Sequence, residues 1–362
     1  MISPMQLHFY LPHKPLTSRA RQSASLAACG TTDSQKQQRK SIMPRVKDYR
    51  PAGVIPATLL ALNEDMSIDV RETRKHLRDC ALVDGVSAVT VNGHASEVHA
   101  CTFDEQRTIL AESLAEVGDK VPLINGVYAD GSIEAAKIAR MADEEGASCL
   151  LVFPPNSMSM GGQLRPEMAI EHYKRIADVT DLPLIAFQYP MQSGLGYPFE
   201  TLLKLFEEVP TIAAIKDWSN DPMLHERHIR TFQSLARPVN VLTTHSSWLM
   251  ASLTMGCNGL LSGAGSVIAD LQVALFRAVQ EGDLKKAQAI NDRIVPITQA
   301  FYAQPFLDMH NRMKEALVLL GRLEKSVVRP PLMKLTEAEI SRIDQALIQA
   351  GVSHEGAAQL AS

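Results

Sequence analysis

The stretch at residues 182–221, "LPLIAFQYPMQSGLGYPFETLLKLFEEVPTIAAIKDWSND", decides the fold. It contains two short apolar runs, "LPLIAF" (182–187) and "TIAAIK" (211–216), with a segment of helical character between them. Apolar runs that are continuous rather than alternating, and separated by helices, describe strands of a parallel sheet covered on its outer face. The same unit recurs in both directions. Before it stand "GVIPATLLAL" (53–62), "SAVTVN" (87–92), "VPLIN" (121–125) and "SCLLVF" (148–153). After it stand "VNVLTT" (239–244) and "NGLLSG" (258–263). Helical segments lie between, one opened by Thr102 and Glu105 at capping-box spacing, one beginning near Ser132, and one around Met168 to Val179. Eight strand–helix units over about 230 residues match an α/β fold of the (β/α)8 TIM-barrel type. An open doubly wound sheet is the alternative, but no dinucleotide fingerprint follows the first strand. Beyond residue 282 the pattern is helical only, which predicts a C-terminal helical extension. The expected organisation is therefore an N-terminal extension at 1–50, a barrel at 51–282 and C-terminal helices at 283–352.

Composition narrows the class. A chain of 362 residues, 46% hydrophobic and 21% charged, buries a large core. A net charge of −4 gives no electrostatic footprint for nucleic acid. No apolar run reaches the roughly 18 residues that span a bilayer. The five cysteines (Cys29, Cys80, Cys101, Cys149, Cys257) form no CxxC pair and no metal-ligand spacing, which suits free thiols and a cytoplasmic setting. The first 42 residues carry six Lys/Arg against the single acid Asp33 and show no periodicity. They are expected to be a disordered extension, with an organelle leader as the alternative. "HERH" (225–228) has the look of a ligand pair, but no third ligand is suggested, so it is expected to be a solvated helix face. No metal and no cofactor are expected.

Lys216 ends an apolar strand. Burying an ammonium is costly, and the group responds by losing its proton. A lysine closing a strand is commonly a solvated rim residue. In a (β/α)8 barrel, however, the C-terminal strand ends form the active face, and the other strand ends bring mixed chemistry there. "NGHASE" supplies His94 and Ala95, "NGVYAD" supplies Tyr128, and "FQYPMQSG" supplies Phe187, Tyr189 and Gln192. "TTHSS" supplies His245, and the last strand, running into "SGAGS", supplies Leu261 and Gly263. A neutral lysine attacks carbonyls, and a partly apolar pocket provides that neutrality. His94, His245, Tyr128 and Tyr189 are the proton-handling candidates, and the "GHAS" and "SGAGS" turns offer backbone N–H groups to an anion.

These pieces, in this order, resemble the dihydrodipicolinate synthase/N-acetylneuraminate lyase family of lysine-dependent class I aldolases over about residues 52–345. "NGHASE" stands where the family has a Gly-Thr-Thr-Gly-Glu-like turn, "FQYPMQSG" where it has Tyr-Asn-Val-Pro-x-x-(Thr/Ser)-Gly, and "AAIKDWSND" where it has Gly-Ile-Lys-Glu-x-Ser-x-Asp. "NGLLSGAGSV" and "VVRPPL" fit its eighth strand and C-terminal region. The resemblance implies a dimeric or tetrameric barrel whose lysine, here Lys216, forms a Schiff base with pyruvate or another 2-oxo acid. It also implies that backbone N–H groups of His94 and Ala95 hold the substrate carboxylate.

The departures point to a divergent member. The family's catalytic tyrosine falls on Phe187, the first threonine of its proton relay on His94, and the relay's second tyrosine near Asn156. The arginine that grips the carboxylate of aspartate semialdehyde in the synthase is replaced by Gln192, a neutral amide that cannot form a charge-assisted pair. The expectation is a lyase for aldol cleavage, condensation or dehydration outside lysine biosynthesis, with Lys216 as nucleophile and His94 as acid/base. The rival expectations are a phosphate-binding barrel enzyme without a Schiff base and a non-catalytic 2-oxo-acid-binding pseudoenzyme.

Overall fold

The computed structural model describes residues 46 and 49–352, so the expected N-terminal extension lies almost wholly outside the described residues. Eight strands form one parallel sheet: β1 Gly53–Pro56, β2 Val89–Val91, β3 Leu123–Val127, β4 Cys149–Val152, β5 Leu184–Gln188, β6 Ile212–Asp217, β7 Asn240–Thr243 and β8 Gly259–Ser262. The hydrogen-bonded order runs β1-β8-β7-β6-β5-β4-β3-β2. Parallel bridges between Val54 and Val86 and between Ala57 and Thr90 join the two ends, closing the ring. Most strands are shorter than their apolar runs, whereas β3, β5 and β6 extend past theirs at the barrel's mouth.

The helices between strands are α1 Val70–Ala81, α2 Phe103–Val117, α3 Ser132–Glu145, α4 Pro166–Ala177, α5 Phe199–Glu208, α6 Pro222–Phe232 and α7 Leu249–Thr254, with α8 Gly265–Gln280 after β8. Side chains fix several of their starts. Thr102 and Glu105 make the expected capping box on α2, and Asp221 accepts from the N–H groups of Met223 and Leu224 on α6. Each such cap is worth about 1 kcal/mol. The strands are buried on both faces, with Ile55, Leu150, Ile185, Ala214, Ile215 and Leu260 at most marginally accessible. That two-sided burial is why their sequences run apolar without alternation.

Three further helices follow: α9 Leu284–Phe301, α10 Met309–Leu319 and α11 Glu337–Gln349. Glycine decides one packing detail near the mouth. A Cβ on Gly126 in β3 would lie 1.9 Å from the carbonyl oxygen of Asn92. Asn92, at φ +53, donates from its amide to Asn125 Oδ1 and to the Gln106 carbonyl, each at 2.8 Å. The turn that carries His94 is thus seated on the next strand.

Candidate active site

A cavity of about 540 Å3, including its open mouth, sits at the C-terminal ends of the strands. Its strand-end lining includes Ala57, Thr90, His94, Phe187, Lys216 and Thr244. Ala95 and Gly263 also line it, so five of the ten site residues expected from sequence meet here: Lys216, His94, Ala95, Phe187 and Gly263. Tyr302, Met309 and His310 reach the same space from the end of α9 and the start of α10.

Lys216 is the penultimate residue of β6, which runs one residue beyond the apolar stretch. Its side chain is 8% exposed, with Nζ 4.1 Å from the centroid of the Phe187 ring. Two effects compete. The ring face favours the ammonium by about 0.5 to 2 kcal/mol. Loss of water disfavours it more, and burial pulls the amine down from the ordinary 10.5 to about 7. At neutral pH about half the molecules then carry a free amine, against about one in three thousand for an unperturbed lysine.

His94 is packed edge-on against Tyr128, Phe153 and Tyr189, and its Nε2 shares a hydrogen bond with the Tyr189 hydroxyl. Burial, reinforced by the charges of Lys216 and His99, drives its imidazole down to about 3. It is held neutral on the same cavity wall as Lys216. Burial likewise holds His310 well below the usual histidine range. The Thr90 hydroxyl is buried on the cavity wall with no protein partner. Tyr302 directs its hydroxyl to the side chains of Ser246 and Ser262.

The remaining expected residues lie elsewhere. Tyr128 donates nothing to the cavity wall; its hydroxyl accepts from the Asn156 amide at 2.6 Å, behind His94. Leu261 is fully buried within β8, and Gln192 is exposed in the turn Met191–Ser193. His245 is buried outside the cavity, in a network centred on Asp217. Because strand side chains alternate, Asp217 faces the helices where Lys216 faces the barrel interior. Its Oδ2 accepts from His225 Nδ1 at 2.8 Å and His228 Nδ1 at 2.7 Å. Ser252 bridges His225 Nε2 to the Thr243 hydroxyl, which meets His245 Nδ1 at 3.1 Å, while His245 Nε2 accepts from the Asn220 N–H. Burial raises the Asp217 carboxyl, but the hydrogen bonds from His225 and His228 outweigh it and leave it well below the usual range.

The expectation of a solvated face for "HERH" is thus corrected. His225 and His228 are fully buried, being three residues apart on the side of α6 that meets β6. Asp217, His225 and His245 bring one donor atom each within 4.8 Å of one another. Each of those atoms already has a hydrogen-bond partner, so the cluster is a satisfied network rather than a vacant ion cage.

The Dihydrodipicolinate synthetase family model matches residues 50–350. The chain belongs to this family. Membership carries the lyase class. An uncharacterised DapA-like lyase of Halobacterium salinarum is 30% identical over 301 residues, 83% of this chain and 94% of the relative. A 4-hydroxy-tetrahydrodipicolinate synthase of Neisseria gonorrhoeae is 26% identical, covering 83% of this chain and 98% of that protein. The Escherichia coli K12 prophage protein YagE, solved in complex with pyruvate, superposes with a TM-score of 0.76 at 23% identity, covering 83% and 99% of the two chains. That last likeness establishes the barrel alone. Among the described residues no helix is long and apolar enough to cross a membrane.

Proposed function

We propose that this family member is a lyase acting through a Schiff base between Lys216 and pyruvate or a related 2-oxo acid, for aldol cleavage or condensation or for dehydration. The observation that carries the reading is the amine of Lys216, buried in the cavity against the Phe187 ring, where burial pulls it down to about 7. The neutral amine adds to the keto carbon, water leaves, and the iminium acidifies the adjacent carbon. His94, on the cavity wall and bonded to Tyr189, takes and returns the proton. It stands in for hydroxyls that Phe187 and Asn156 cannot provide. The carboxylate is assigned to the backbone N–H groups of His94 and Ala95 and to the unpartnered Thr90 hydroxyl.

The test is to add pyruvate and borohydride to the wild type and to Lys216→Ala and to weigh both. The expected result is a mass gain in the wild type alone, localised to the peptide containing Lys216. If neither protein gains mass, the mechanism is wrong. The pH dependence has a definite sign. The attacking form is the free base, so the initial trapping rate is expected to rise with pH through about 7 and then level. A rise centred near the unperturbed lysine value of about 10.4 would mean that the amine is solvated. A homo-oligomer, dimeric or tetrameric, is proposed on the ground of the sequence resemblance.

A further inference from the structure

We infer that the carbonyl compound joined to, or released from, the 2-oxo acid is an uncharged aldehyde bearing an aromatic or similarly flat apolar group. This rests on the Schiff-base reading above and adds to it the identity of the second reactant. The observation is that Phe187 and Trp218 line the cavity with Lys216, and that Tyr189 and Phe306 pack against them in a run of ring contacts. Lys216 Nζ lies 4.1 Å from the Phe187 centroid, Phe187 lies 4.5 Å from Tyr189, Tyr189 lies 5.6 Å from Trp218, and Trp218 lies 6.2 Å from Phe306. Phe306 is 39% exposed and stands in the turn between α9 and α10. On the other side the lining ring is His94, backed by Phe153 at 4.7 Å and Tyr128 at 5.6 Å.

A second carboxylate needs a cation or several fixed donors. Among the described residues lining the cavity, Lys216 is the only lysine or arginine, and the reaction uses it covalently. The two lining histidines are kept neutral by burial. Gln192, where the synthase pattern has its arginine, is exposed and outside the cavity. A carboxylate carried past Trp218 would lose its hydration without a replacement. A flat apolar ring gains instead, because edge-on and offset ring contacts add to the burial of its surface.

The condensation balances without an oxidant or reductant. Pyruvate and the Lys216 amine lose water to give the iminium, which loses a proton from the methyl carbon to His94 and becomes an enamine. That carbon forms a bond to the aldehyde carbon, whose oxygen takes the proton back from His94. Water then hydrolyses the iminium, releasing a 4-hydroxy-2-oxo acid and the free amine. Cleavage is the reverse.

The experiment follows product from pyruvate plus benzaldehyde, acetaldehyde or succinic semialdehyde with the full chain, with borohydride trapping of pyruvate run in parallel. Benzaldehyde is expected to exceed succinic semialdehyde in kcat/KM by about 100-fold. The benzaldehyde-to-acetaldehyde ratio is expected to fall about tenfold in Trp218→Leu and in Phe306→Leu. Phe306, an exposed ring packed on Trp218, keeps the question answerable if the Trp218 variant does not fold. Successful trapping with succinic semialdehyde preferred, or with none of the aldehydes used, would overturn this inference and leave the Schiff base standing. Absence of trapping would overturn both.

Discussion

A Lys216→Met variant is expected to lose turnover and yet to melt higher than the wild type. Removing a covalent nucleophile costs about 10^4-fold or more in kcat, because the remaining groups have nothing on which to act. Methionine fills nearly the same volume and suits an apolar wall beside Phe187. The stability gain comes from the amine itself. Its pKa falls from 10.5 unfolded to about 7 folded. A shift of that size represents a cost on the order of 4 kcal/mol at neutral pH. The sign of the pH dependence follows from proton counting. Between about 7 and 10.5 the unfolded chain binds the proton that the folded chain has released, so the penalty shrinks as pH rises. The variant's advantage is therefore expected to be full below about pH 7 and to fade between there and about pH 10. Melting curves of both proteins across that range check it. Equal melting at pH 7 would show that Lys216 carries no burial cost, and the account of its reactivity would fail with it. Stability surrendered for reactivity is the usual arrangement at active sites.

The parts of this site that were legible in the sequence are those that parallel-strand geometry transmits. Once "LPLIAF" and "TIAAIK" are strands of one barrel, Phe187 and Lys216 must open onto the same mouth, and the structure pairs them in register. The turn after β2 places His94 there for the same reason. Asp217 was not legible, although it is Lys216's neighbour. The strand extends one residue past the apolar run, and the alternation of side chains turns that residue towards α6, where His225 and His228 meet it. Reading the carboxylate together with the histidines at i and i+3 on the following helix is the signal that would have found the network. Tyr302, Met309 and His310 left no signal of this kind. They come from helices beyond the barrel, and periodicity says that those helices exist but not where they fold back. Gln192 fails for a related reason: the 3-10 turn at Met191–Ser193 sets it on the surface, which motif spacing does not record.

The C-terminal helices also hold the mouth in place through a buried ion pair. Glu97, at φ +52 in the turn that carries His94, accepts from Lys314 Nζ on α10, and the two side chains are 2% and 1% exposed. Its other oxygen accepts from the Arg329 backbone N–H at 2.9 Å, while Lys314 also donates to the Val327 carbonyl at 2.6 Å. Burial lowers the Lys314 ammonium, with the attraction of Glu97 acting in the opposite direction. Such a pair contributes little net stability over an apolar replacement, yet losing one member leaves a buried charge unopposed. Glu97→Ala is accordingly expected to destabilise by about 3 to 5 kcal/mol. Glu97→Leu combined with Lys314→Met is expected to recover most of that loss. Urea denaturation of the single and double variants separates the two effects. If the double variant were as unstable as Glu97→Ala, lost packing in the turn rather than the stranded ammonium would be the cause. If Glu97→Ala were within about 0.5 kcal/mol of the wild type, the level of a neutral surface substitution, the turn would not depend on α10. The connection matters for chemistry because Glu97 lies only three residues from His94. Displacement of the turn is therefore expected to slow pyruvate trapping even where the barrel itself stays folded.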